Sequence, residues 1–150
     1  QFVDLLDLPR DQAAVVTFDG GARVVQPLTA SRPRLRASLA RLATGAGTRL
    51  DLGLATAVDV LAAGGRPGAR PAIVLLTDGL PDAGTEAAAV AEARRARALG
   101  ATLFAVGLGD PAAAELLRQL TGDRERVRFA PSADDLAAAY AAIAGDVGCR

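Results

Sequence analysis

The sequence has no histidine, lysine, methionine or tryptophan, and one cysteine in 150 residues. Without histidine there is no Ser-His-Asp triad, no Cys-His pair and no imidazole zinc site. Without lysine there is no P-loop lysine to reach a nucleotide phosphate. Cys149 cannot close an internal disulfide or build a cysteine metal cluster. One residue from the end, it reads as a tail thiol, with an intermolecular bridge or a lipid attachment as the sharper alternative. Four Phe and one Tyr leave little surface on which bases could stack. All 17 positive charges are Arg and are balanced by 17 Asp and Glu. A net charge of zero argues against a nucleic-acid or anionic-membrane surface. No apolar run approaches the ~20 residues that span a bilayer, and no signal peptide is visible. Because the first residue is Gln and Met is absent, the chain is expected to be processed or cut from something longer.

What is present is apolar material in a regular order. Hydrophobic residues make up 51% of a chain sized for one domain. The expected domain covers residues 1–145, with 146–150 as a C-terminal tail. Phe2 to Leu8 reads as the last turns of an amphipathic helix stopped by Pro9. Ala13 to Phe18 is a short β-branched run, a buried strand; Asp19-Gly20-Gly21 is a hairpin turn, and Ala22 to Leu28 the returning strand. Pro27 cannot donate to a ladder, which puts that strand on a sheet edge. Arg32 to Leu42, N-capped by Ser31, carries Leu35, Leu39 and Leu42 at helical spacing. A second helix over Asp51 to Ala63 shows a stripe of Leu50, Leu54, Val58 and Leu61. Ala72 to Thr77 is continuously apolar, as a central parallel strand covered on both faces should be. A helix over Thr85 to Leu99 closed by Gly100, a strand over Ala101 to Val106, a helix over Pro111 to Leu120 and a short strand over Val127 to Ala130 follow. Ser132 with Asp135 opens a last helix to about Ala144. This alternation predicts a doubly wound α/β fold, its mostly parallel sheet covered by helices on both faces and ending in an antiparallel edge hairpin.

In open α/β sheets, ligands bind beyond the carboxyl ends of the strands. Three loops fall there: Gly45-Ala46-Gly47-Thr48, Asp78-Gly79-Leu80-Pro81-Asp82 and Gly107-Leu108-Gly109-Asp110. Each has a plain structural reading. Thr48 with Asp51 makes a capping box, Asp78-Gly79 is an ordinary turn, and the glycines at 107 and 109 permit a tight crossing. Taken together they set a hydroxyl and a carboxylate from separate loops on one rim, the oxygen donors a hard divalent cation prefers.

The order Ala13-Val15-Val16-Thr17-Phe18-Asp19, Pro27-Leu28-Thr29, Gly47-Thr48-Arg49-Leu50-Asp51-Leu52-Gly53-Leu54-Ala55-Ala57 and Ile73-Val74-Leu75-Leu76-Thr77-Asp78-Gly79 resembles a von Willebrand factor A domain. Gly100 to Gly109 and Ala130-Pro131-Ser132-Ala133-Asp134-Asp135-Leu136 also fit. The resemblance implies a metal-ion-dependent adhesion site, holding Mg2+, or Mn2+ or Ca2+, against an acidic residue of a protein partner. Thr48 matches its threonine ligand. Asp78 matches its aspartate, which usually acts through water. The two serines and the aspartate of its D-x-S-x-S motif have no match: Ser31, Ser38 and Ser132 are solitary and Thr17 lies inside a strand. The remaining ligands are therefore expected upstream of Gln1, on a first strand that in this family sits between Ala13–Phe18 and Ala72–Thr77. The site is expected to be partial, with weak or no cation binding by this chain. The resemblance implies a non-enzymatic adhesion or complex-assembly module, of bacterial surface or secreted type. A metal-free structural remnant is one alternative. A nucleotide-binding Rossmann-type enzyme is another, although neither glycine-rich loop completes G-x-G-x-x-G.

Overall fold

The computed structural model describes residues 2–8, 10–43, 45–108 and 111–148. Strands β1 (Ala13–Phe18) and β2 (Ala22–Thr29) form an antiparallel hairpin. Strands β3 (Ala72–Thr77), β4 (Thr102–Gly107) and β5 (Val127–Phe129) form a parallel sheet in the order β3-β4-β5. Helices α1 (Arg32–Leu39), α2 (Leu50–Gly64), α3 (Glu86–Ala98), α4 (Ala114–Thr121) and α5 (Ala133–Gly148) connect and cover them. This is the expected α/β class, built as two sheets that share no strand pairing among the described residues.

Alternation along the strands divides the core into two layers. Ile73, Leu75, Leu103 and Ala105 point into a layer with Leu50, Leu54 and Val58 of α2, Ala89, Ala93 and Ala96 of α3, and Leu117 and Leu120 of α4. Phe104 and Val106 point the other way, onto Ala139 and Ile143 of α5. Both faces of β4 are thus buried, as its unbroken apolar run requires. Alanines on α3 let that helix lie close on its neighbours. By contrast, all six residues of β1 are only half-buried, and among the described residues β1 pairs with β2 alone.

Helix α2 ties the hairpin to the rest, and the N-terminal turn ties α1 to α5. Gly53 of α2 lies against the Phe18 ring. The segment expected to be α-helical up to Leu8 is instead a 3-10 turn over Phe2–Leu5. Its carbonyls are taken by a tertiary partner, with the Arg32 guanidinium donating to the Val3 oxygen at 2.8 Å and the Leu6 oxygen at 2.9 Å. Arg36 pairs with Asp4 at 2.7 Å, and the Phe2 ring tilts against Tyr140 at 5.5 Å between centroids.

Several element ends differ from the sequence expectation. Helix α1 stops at Leu39, because only Leu35 and Ser38 find a buried place; Leu39 and Leu42 stay 39% and 43% exposed. The stretch 111–120 begins as a 3-10 turn over Pro111–Ala113 before α4. Helix α5 continues to Gly148, beyond the expected end near Ala144. Its start follows expectation: the Ser132 hydroxyl donates to Asp135 Oδ2 at 2.6 Å and accepts the Asp135 N–H at 3.2 Å, the N-cap half of a capping box. Gly100 closes α3 in the left-handed region at φ 80°. Gln1, Pro9 and Cys149 lie outside the described residues.

Candidate functional site

The rim beyond the C-terminal ends of the strands is assembled by backbone contacts between turns. Two glycines bring the Gly45–Thr48 turn down onto the hairpin turn. A Cβ on Gly45 would collide with the Asp19 carboxylate, and one on Gly47 would stand 2.9 Å from the Gly20 backbone. Gly47 also takes φ 96°, which costs glycine little and other residues much. The Arg49 N–H then donates to the Asp19 carbonyl at 2.8 Å. Asp19 itself closes an Asx turn, its Oδ1 accepting the Gly21 N–H at 2.9 Å.

The same turn is fastened on its other side to the loop after β3. The Thr48 N–H donates to Asp82 Oδ1 at 2.8 Å, and the Asp82 N–H donates back to the Thr48 carbonyl at 3.1 Å. Asp78 is the first residue of that loop. Thr77 anchors it from below, its carbonyl accepting the Leu108 N–H at 2.8 Å and its hydroxyl donating to the Gly79 carbonyl at 3.1 Å. The loop after β4 therefore starts beside Asp78; its Gly109 and Asp110 lie outside the described residues.

Neither the Thr48 hydroxyl nor the Asp78 carboxylate has a hydrogen-bond or ion-pair partner among the described residues. Asp78 is exposed and Thr48 half-buried. Both are oxygen donors. Among the described residues there is no cluster of three or more Asp, Glu, His or Cys able to hold a metal ion. The donor chemistry therefore suits a hard cation in kind, while the number of donors is small.

The expected capping box at Thr48 and Asp51 does not form. The N-cap of α2 is Arg49, with no side-chain cap bond. Asp51, buried at 7% exposure, instead receives the Arg49 guanidinium in a two-pronged contact, Nε to Oδ1 at 2.8 Å and Nη2 to Oδ2 at 2.7 Å. The reason is competition: an arginine fork satisfies both carboxylate oxygens, which a backbone amide cannot. These bonds hold the Asp51 carboxyl below its ordinary range, against the opposing push of burial. A depressed folded value means the unfolded chain takes up its proton first, so this contribution is intact at neutral pH. It is lost as pH falls from about 4 through the folded value. Melting temperatures of the wild type and Asp51→Asn are accordingly expected to differ most at neutral pH and to converge in acid; parallel curves would contradict this.

Asp19 and Asp82 are the residues that sequence reasoning missed at this rim. Asp19 was read only as a hairpin turn, and Asp82 only as part of a loop. The one available signal for Asp82 was its place four residues after Asp78 in a loop too short to carry it far away.

The sequence profile of the von Willebrand factor type A domain matches residues 1–142. Among curated proteins none matches the chain. Solved structures share the fold. The vWF domain of the type V pili tip protein Mfa5 from Porphyromonas gingivalis superposes with a TM-score of 0.86 at 17% identity, covering 99% of this chain and 85% of that one. The BatB protein of Bacteroides thetaiotaomicron gives 0.80 at 18% identity, covering 99% and 82%. Proximal thread matrix protein 1 of the mussel byssus, in a structure with a zinc-occupied MIDAS motif, gives 0.78 at 25% identity. That match covers 92% of this chain and 36% of the mussel protein, so the chain corresponds to about a third of that relative.

Proposed function

Because the chain belongs to the von Willebrand factor type A domain family, we propose that it is a protein-binding module in which Thr48 and Asp78 contribute part of a divalent-cation site facing an acidic residue of a partner. One observation carries this reading. Two loops from opposite halves of the fold are hydrogen-bonded to each other through Thr48 and Asp82, and each leaves an oxygen donor without a partner among the described residues. Hard oxygens favour Mg2+, Mn2+ or Ca2+. A bound cation supplies the positive charge on which a partner's carboxylate completes the coordination sphere. The chain's own part is to hold the Thr48 hydroxyl and Asp78 carboxylate at one rim, on turns fixed by the backbone.

The zinc-occupied motif of the mussel relative supports a divalent ion at the corresponding place. The pilus-tip relative supports an adhesive, extracytoplasmic setting. Among the described residues no helix is long and apolar enough to cross a membrane. A catalytic role has no histidine and no lysine to draw on, and neither NAD nor ATP is expected to shift the melting temperature.

Two protein donors make a weak site. Titration calorimetry with Mg2+ is expected to show millimolar or weaker affinity, with the response lost in Thr48→Ala and in Asp78→Asn. Micromolar affinity that survives both substitutions would locate the cation elsewhere and overturn the reading.

A further inference from the structure

We propose that Asp82 is the positioning residue of the rim: a latch that holds the Thr48-bearing turn against the Asp78-bearing loop, so that the two free oxygen donors are presented together. The inference rests on the cation-site reading above and adds a residue to it. Thr48 and Asp78 lie on different elements. The turn before α2 carries one, and the loop after β3 carries the other. No described hydrogen bond joins their own side chains. The joint is Asp82, which both accepts from the Thr48 N–H through its carboxylate at 2.8 Å and donates to the Thr48 carbonyl through its backbone at 3.1 Å.

Asp82 is itself braced. Its carbonyl accepts the Thr85 hydroxyl at 2.6 Å and the Thr85 N–H at 3.1 Å, which ties the loop to the start of α3. Pro81 beside it is buried, while Leu80 and Asp78 stay exposed. The loop is thus held at both ends, by Asp82 at one and by the Thr77 hydroxyl on Gly79 at the other, with the Asp78 side chain exposed. On the opposite side, Arg49 binds the Asp19 carbonyl through its N–H and Asp51 through its guanidinium. The Thr48 turn is therefore suspended between two anchors, and Asp82 is the one that comes from the element bearing Asp78. A carboxylate accepting a backbone N–H is a charge-assisted bond. Removing it frees the Thr48 amide and lets the turn drift relative to Asp78. Partners of this kind, which orient ligands without touching the ion, typically matter about tenfold or more in metal affinity.

The test compares Asp82→Ala with Asp82→Asn, whose amide oxygen still accepts the Thr48 N–H. Amide hydrogen exchange of the 15N-labelled chain reads the latch, and Mn2+-induced line broadening at Thr48 and Asp78 reads the site. In Asp82→Ala the Thr48 amide is expected to lose protection and the Mn2+ midpoint to rise about tenfold, while Asp82→Asn restores both. Exchange at the β4 amides separates loss of the latch from loss of the fold. Should the alanine variant not fold, Asp82→Glu takes its place, its extra methylene displacing the carboxylate. An unchanged midpoint in a folded Asp82→Ala would overturn the proposal. So would an Asp82→Asn that keeps Thr48 protected yet binds Mn2+ as poorly as Asp82→Ala, since Asp82 would then act by its charge. If the wild type shows no Mn2+ response, the cation reading falls. The latch then stands only if Thr48 protection disappears in the alanine variant and returns in the asparagine variant.

Discussion

A guanidinium titration of the 150-residue chain is expected to give a low midpoint and a shallow, spread transition. The cause is the break between the two sheets. Among the described residues β1 pairs only with β2, and β3 only with β4, so the inner edges of both strands have no ladder partner there. Neither Ala13–Phe18 nor Ala72–Thr77 contains a charge or a proline. Those are the features that protect a free edge from pairing with other chains. The outer strand β2 has such protection, in Arg23 and Pro27. Several missing ladder bonds at about 1 kcal/mol each are a large part of a domain's stability of about 5–15 kcal/mol. The hairpin is further expected to exchange its amides sooner than β4, which is paired on both sides and buried on both faces. The chain should also aggregate at high concentration. One sharp transition, coincident by fluorescence and circular dichroism with the slope usual for this length, would contradict the account.

The second large effect concerns Gly53, in the helix that bridges the two sheets. On propensity alone, alanine in the interior of α2 should stabilise the protein by about 1 kcal/mol. The geometry reverses the sign. A Cβ at Gly53 would stand 2.8 Å from the Phe18 ring and 3.1 Å from Phe18 Cβ, and these are not the far end of a flexible chain. Either α2 or β1 must move. Gly53→Ala is expected to destabilise by about 1–3 kcal/mol, the range for overpacked cores. Combining it with Phe18→Leu should recover part of the loss. The strain falls on the contact by which α2 holds the hairpin. A Gly53→Ala variant that melts above the wild type would show that the Phe18 contact is soft.

How legible this was in the sequence follows from which interactions are local. The run Ala72–Thr77 announced a central strand covered on both faces; it is covered on both, with Ile73 and Leu75 on one side and Val74 and Leu76 on the other, but among the described residues it ends the sheet, paired with β4 alone. The stripe Leu50, Leu54, Val58 named the face of α2 that is buried. The Ser132–Asp135 box was readable because it closes within three residues. What failed depends on distant partners, or on a near competitor that spacing alone does not rank. Arg32 reaches back to Val3 and Leu6 and holds a 3-10 turn where the apolar pattern suggested a helix. Arg49 takes Asp51 away from a cap that spacing alone allowed. At the rim, Thr48 and Asp78 were singled out from their loops. The residue that joins those loops, Asp82, acts through a contact across 34 positions that no local pattern encodes.

Mn2+ titration of the 15N-labelled wild-type chain tests the central claim most directly, because a paramagnetic ion reports its neighbours even when it binds weakly. The account predicts that the Thr48 and Asp78 amides broaden together at one Mn2+ concentration, while Ala72 and Thr102, at the far ends of β3 and β4, stay sharp. Broadening of the two amides at clearly different concentrations, or first at Asp134 and Asp135 on α5, would contradict it.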